Sequence, residues 1–179
     1  MMAVAEEIFA ERGYAAASMD DIAERVGVSK PMLYEYFGSK EGLLVACIRQ
    51  ARSELMSATM DAGMHADSAE KALRAGLVAF FEFIDSHRRS WELLRQEAAV
   101  AGAAAVDEIE GVRQQQTTVN MTMFAAFVPG LSHRELEAFA EILVGACERL
   151  SLWYVQRDDV SAAEAAELIM RMVWRGLRP

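Results

Sequence analysis

Three glycines in the first forty residues, Gly13, Gly27 and Gly38, are each followed within a few positions by a serine, Ser18, Ser29 and Ser39. Glycine tolerates the left-handed conformation that ends a helix, and serine accepts a hydrogen bond from the free N–H groups that begin one. This punctuation divides the region into short helices and leaves little room for anything else. Val4, Ala5, Ile8 and Phe9 recur at helical spacing up to Gly13. Ser18 stands three residues before Asp21, which predicts a second helix over about Met19 to Val26 with Asp20 and Asp21 at its positive end. After the Gly27 turn, Ser29 caps a third helix whose first turn accommodates Pro31, because first-turn N–H groups have no intrahelical partner. Ser39 then caps a long fourth helix carrying Leu43, Leu44, Cys47, Ile48, Leu55 and Met56 toward Met60, which would connect the two halves of the chain.

Beyond Gly63, further helices are expected over roughly 68–87, 90–101, 103–128, 132–157 and 161–177, with Gly130, Ser132 and Ser161 at boundaries. Only three prolines in 179 residues and 53% hydrophobic content favour an all-α chain with a sizeable core. The expected organisation is a domain over residues 1–47 and a larger helical domain over 48–179, joined without a low-complexity linker. No stretch has the apolar length to cross a bilayer, and the opening MMAVAEEIFAERG carries acids where a secretion signal carries bases, so a cytoplasmic protein is expected. Cys47 and Cys147 lie far apart with no metal-ligand spacing and read as small buried apolar residues. His65, His87 and His133 are isolated, and no nucleophile elbow, phosphate loop or zinc-protease motif occurs. Neither an enzyme nor a metal or cofactor site is expected. Carboxylates such as Glu135, Glu137, Glu141, Glu148, Glu164 and Glu167 read as a solvated face.

In the third helix Leu33 and Phe37, four apart, face the core together and leave Lys30, Pro31, Tyr34 and part of Tyr36 outward. Two short helices about a tight turn, the second exposing basic and aromatic groups, fit a helix-turn-helix that sets a recognition helix into a major groove. The plainer alternative makes Tyr34, Tyr36 and Phe37 core aromatics. The net charge of −9 means that any DNA contact is local, not a matter of bulk charge. From Phe9 to Leu43 the string FAERGYAAASMDDIAERVGVSKPMLYEYFGSKEGL resembles the DNA-binding domain of the tetracycline-repressor (TetR) family. Phe9, Gly13, Tyr14, Ser18, Ile22, Ala23, Gly27, Val28, Ser29, Leu33, Tyr34, Tyr36, Phe37, Lys40 and Leu43 carry the resemblance, over about a quarter of the chain.

The resemblance implies a transcriptional regulator, by the family's habit a repressor of a palindromic double-stranded operator. It places Lys30, Pro31 and Tyr34 near bases or the adjacent backbone, with Ser29, Tyr36 and Lys40 on phosphates. Lys40 has an independent rationale, since it adds a full charge to the N-terminus of the fourth helix, where anions are attracted. Ser18 serves as a cap, or as a cap and a phosphate contact together. The family commonly carries a basic segment ahead of its first helix, whereas Glu6, Glu7 and Glu11 come early here. In residues 1–52, acids outnumber Arg12, Arg25, Lys30, Lys40, Arg49 and Arg52, so binding is expected to weaken steeply with salt.

The two last helices are apolar on most sides. One stripe runs through Leu143, Cys147 and Leu150 and another through Ala165, Ile169 and Val173. The resemblance implies a homodimer built from these helices as a four-helix bundle; the alternative is a single intrachain core. Residues 114–127, QQQTTVNMTMFAAF, set Thr118, Asn120 and Thr122 among Met121 and Phe124. Polar groups beside an apolar interior need partners, and with Phe80, Phe83, Trp91 and Trp153 they can line a cavity for a hydrophobic small-molecule effector, or they can simply pack. Effector binding to the form whose recognition helices are wrongly spaced would lower DNA affinity.

Overall fold

The computed structural model describes residues 1–93 and 103–176, with backbone alone for 103–110, 112, 113, 116, 127, 175 and 176. The described chain is helical throughout and holds no strand. Among the described residues, nine helices follow in order: α1 (Met2–Ala16), α2 (Met19–Val26), α3 (Lys30–Phe37), α4 (Lys40–Met64), α5 (Ala69–Ser86), α6 (88–93), α7 (Ala103–Phe127), α8 (His133–Tyr154) and α9 (Ala162–Gly176). The predicted helices coincide with these to within a few residues, although residues 94–101 and 177 of the expected spans lie outside the described ones. Gly13 does not end α1 outright. Its backbone (φ 75, ψ 160) kinks the helix, which resumes for a last turn to Ala16.

Local chemistry accounts for most boundaries. Ser132 and Ser161 each form a capping box: the backbone N–H of Ser132 donates to Glu135 Oε2 at 2.8 Å and that of Ser161 to Glu164 Oε2 at 2.8 Å. In return, Glu135 N donates to Ser132 Oγ and Glu164 N to Ser161 Oγ, so two otherwise orphaned donors are satisfied at each start. These bonds hold the Glu135 and Glu164 carboxyls below the usual carboxylate range.

The chain forms two compact units: Met1–Glu54 with His87–Val112, and Leu55–Ser86 with Arg113–Pro179. The division falls inside α4. In the first unit Ala5, Ile8, Phe9, Ile22, Leu33, Leu43, Cys47 and Ala51 are fully or almost fully buried. Ser90 Oγ donates to Glu6 Oε2 at 3.0 Å and Arg89 pairs with Glu7, which tie the start of α6 to α1. Burial and the neighbouring Glu54 charge push the Glu6 carboxyl up, while Ser90 and His87 oppose the rise.

In the second unit α5 packs most extensively on α9, with Ala165, Ala166, Ile169 and Met170 buried and Arg74 bound to both Glu70 and Glu167. Phe80, Phe81 and Tyr154 stack edge to face, at centroid separations of 5.1 and 5.0 Å, and the Tyr154 hydroxyl donates to Asp85. Among the described residues, no helix is long and apolar enough to cross a membrane.

Candidate nucleic-acid interface

The hydroxyl of Ser18 accepts from Asp21 N at 3.1 Å and donates to Asp21 Oδ2 at 2.7 Å, closing the first turn of α2. The capping role is therefore occupied from both sides, and Arg12 pairs with the same carboxylate at 3.0 Å. Gly27 (φ 79, ψ 32) turns the chain in the left-handed conformation, with its N–H and that of Val28 returned to Ala23 O at 2.9 and 3.0 Å. A β-carbon would strain this backbone, which fixes the angle between α2 and α3. Ser29 then caps α3 by accepting from Met32 N at 3.4 Å, and Pro31 lies in the first turn.

Leu33 is the one fully buried residue of α3, so the helix is anchored along a single line. Its remaining surface is open: Lys30, Pro31, Met32, Tyr34, Glu35 and Tyr36 are exposed, with Tyr36 at 67% and Tyr34 at 42%. Phe37 is only half-buried, its ring 6.4 Å from that of Tyr36, and shares less of the core than its spacing from Leu33 implies. Met32, at 41% exposed, belongs to the same face and was not among the expected residues. The alternative that Tyr34 and Tyr36 are core aromatics does not hold.

Lys40 stands at the start of α4 as predicted, and its half-buried side chain turns back onto the end of α1. Nζ donates to Tyr14 O at 2.9 Å and Ala17 O at 3.0 Å, reaches Ala15 O at 3.5 Å, and lies 4.4 Å from the centroid of the Tyr14 ring. The charge satisfies the carbonyls that end α1, which carry the negative end of that helix. Gly42, also unanticipated, lets α4 start this close to α3, since a Cβ there would collide with the carbonyl of Phe37.

Every lysine and arginine side chain of residues 1–47 has a partner. Arg12 binds Asp21, Arg25 binds Glu11 at 3.1 Å, Lys30 binds Asp20 at 2.7 Å, and Lys40 binds the α1 carbonyls. The hydrogen bond to Asp20 raises the Lys30 pKa and keeps that ammonium protonated. A surface whose bases are paired and outnumbered by acids selects by shape and local contacts more than by field.

The residues expected to line a cavity are only partly brought together. Phe80, Phe83 and Phe124 are buried in the second unit, with Asn120 and Met121 half-buried, but Thr118, Thr122 and Trp153 are exposed. The hydroxyls of Thr118 and Thr122 donate back to Gln114 O and Thr118 O at 2.8 and 2.9 Å, the ordinary way a threonine is satisfied on a helix surface. Trp153 carries the Arg157 guanidinium 4.5 Å above its ring. Trp91, buried, belongs to the first unit.

Most residues of the expected dimer stripe lie inside their own chain. Leu143, Cys147, Ala165 and Ile169 are buried within their own chain, and Leu150 and Val173 are half-buried. The opposite faces are the open ones, with Ile142 at 59% and Gly145 exposed on α8, and Leu168 at 39% and Met172 at 83% on α9.

Residues 1–47 match the family model described as bacterial regulatory proteins, tetR family, and residues 69–176 match that of the tetracyclin repressor-like C-terminal domain. The chain belongs to the TetR family. It is 27% identical over 177 residues to the HTH-type transcriptional activator FasR of Mycolicibacterium smegmatis, covering 99% of this chain and 81% of that protein. It is 31% identical over 90 residues to the regulator EthR of Mycobacterium tuberculosis, covering 49% of this chain and 42% of EthR. A TetR-like transcriptional regulator from Rhodococcus sp. RHA1 superposes with a TM-score of 0.76 at 31% identity, over 98% of this chain and 92% of that one. FadR of Bacillus subtilis, solved in complex with stearoyl-CoA, shares the fold with a TM-score of 0.83 at 14% identity, over 99% of this chain and 97% of that one. This TetR-family chain is thus a helix-turn-helix transcriptional regulator with an all-α fold.

Proposed function

We propose that the protein occupies a palindromic operator as a homodimer, represses transcription there, and is released by a small hydrophobic effector. The observation that carries the DNA-binding part is the open face of α3. A helix anchored by Leu33 alone, exposing Lys30, Pro31, Met32, Tyr34 and Tyr36 beyond a fixed turn, is built to enter a major groove. Lys30, Pro31 and Tyr34 meet base edges or the adjacent backbone, and Ser29 and Tyr36 meet phosphates. Lys40 acts through α1, holding the start of α4 against it.

The exposed stripes on α8 and α9 support pairing. Ile142 and the small Gly145 are exposed on α8, and Leu168 and Met172 on α9, apolar or small residues of the kind a four-helix bundle buries. For the effector, the support is the apolar core of the second unit around Phe80, Phe83 and Phe124, and the stearoyl-CoA held by the FadR fold relative. A compound with a long apolar chain is the class proposed. Helix α4, whose residues belong to both units, would carry the linkage. Coupling of about 1–3 kcal/mol, or roughly 5- to 150-fold in affinity, is the usual scale of such linkage.

A second reading, activation, is favoured by one observation, the name of the FasR relative. Fluorescence anisotropy of operator fragments selected from genomic DNA, titrated with stearoyl-CoA and with free stearate, tests release, and a promoter fusion tests the sign. Operator affinity unchanged by both compounds would overturn the effector class; transcription that falls when the protein is removed would replace repression by activation.

A further inference from the structure

The bond between Lys30 and Asp20 joins the first turns of the two helices of the motif. Nζ and Oδ2 stand 2.7 Å apart, with the Lys30 side chain 44% and the Asp20 side chain 70% exposed. Asp20 takes no part in capping α2, because Ser18 exchanges its hydrogen bonds with Asp21. Beside a face that meets a polyanion, an exposed carboxylate is repelled by phosphate oxygens, and Lys30 offsets that charge at one oxygen, Oδ2. The DNA backbone offers only acceptors, whereas the major-groove edge offers amino donors on cytosine N4 and adenine N6. On a C·G pair, the cytosine N4 donor lies next to the guanine O6 and N7 acceptors. Lysine donates to guanine and aspartate accepts from cytosine, so Lys30 and Asp20 together present the complement of that edge.

We propose that Asp20 is a specificity-determining residue of the DNA interface, reading a C·G pair jointly with Lys30 in each half-site. This rests on the DNA-binding reading above. Asp20 supplies the acceptor for the cytosine amino group, Lys30 supplies the donor for guanine, and their mutual bond fixes the spacing of the two groups before DNA arrives. Held at its base by α2 and at its tip by Lys30, the carboxylate loses little side-chain freedom on binding.

The test is selection from a random double-stranded library by the full-length wild type, Asp20→Ala, Asp20→Asn, Lys30→Ala and the double Asp20→Ala/Lys30→Ala variant. Far-UV circular dichroism and a thermal melt of each variant confirm that it is folded. The expected result is a preference for C·G at one position per half-site in the wild type, on the order of tenfold, lost in Asp20→Ala with the other positions kept. Asp20→Asn moves that position toward adenine, which an amide reads through N6 and N7. The double variant loses no more than either single one. An unchanged selected site in Asp20→Ala, with affinity raised alike on all sequences, would overturn the proposal by making Asp20 a mere repulsive charge, while leaving the DNA-binding reading intact. No selected site in the wild type would instead overturn that reading, and this one with it.

Discussion

Lys40 has two jobs open to one ammonium, and a melt and a salt titration separate them. Three carbonyl oxygens at the end of α1 and the Tyr14 ring surround Nζ, so the side chain is a staple between α1 and the start of α4. Lys40→Gln should cost about 1–2 kcal/mol through lost charge-assisted hydrogen bonds, read as a melting temperature lower by roughly 2–8 °C. A free phosphate-binding lysine would behave differently, leaving the melt unchanged and lowering the slope of log affinity against log salt by about one per subunit. Glu6 makes a pH prediction. Its folded pKa is raised, chiefly by burial, so its contribution favours the fold at pH values below the unfolded carboxyl range and is lost as pH rises through the folded value. Glu6→Gln, which keeps an acceptor for Ser90, should therefore raise the melting temperature at pH 7 by roughly 1–3 °C and give no benefit near pH 4. Burial pushes the Cys47 and Cys147 thiols up to about 12. Neither should react with iodoacetamide at pH 8 until the chain unfolds.

At the scale of helices, what was legible in the sequence was whatever the chain decides within a turn or two. Ser18, Ser29, Ser132 and Ser161 begin helices through atoms three residues away, and Gly27 turns the chain by its own backbone. The partners of Lys40 lie 23–26 residues distant, and the pairing of Asp20 with Lys30 crosses a turn, so no spacing rule exposes them. The faces of α8 and α9 were illegible for another reason. Each helix carries apolar residues on both its faces, and the wider stripe seen in the sequence does not reveal which packing the chain makes for itself. The structure assigns Leu143, Cys147, Ala165 and Ile169 inward and leaves Ile142, Leu168 and Met172 exposed. Met172→Glu with Leu168→Glu should therefore yield a monomer by sedimentation velocity and leave the helical content intact. A dimer persisting at micromolar concentration would move the interface elsewhere. Thr118 and Thr122 failed as cavity groups because a helical threonine can satisfy itself on the carbonyl four residues back.

For the whole molecule, the DNA-binding half was readable almost residue by residue, because its helices are short, capped and carry a dense motif. The larger second half was readable only as helices, since which of their faces the chain buries depends on long-range packing. The net charge of −9 and the complete internal pairing of the lysine and arginine side chains in residues 1–47 leave recognition to the open face of α3. Tyr34 is the most direct probe of that face, because a side chain 42% exposed can be truncated without emptying the core. The decisive measurement is selection of bound fragments from random DNA at low salt by the wild type and Tyr34→Ala. Enrichment of a palindrome by the wild type, lost in the folded variant, is the expected result; the same palindrome recovered with equal affinity by Tyr34→Ala would contradict recognition through this face of α3.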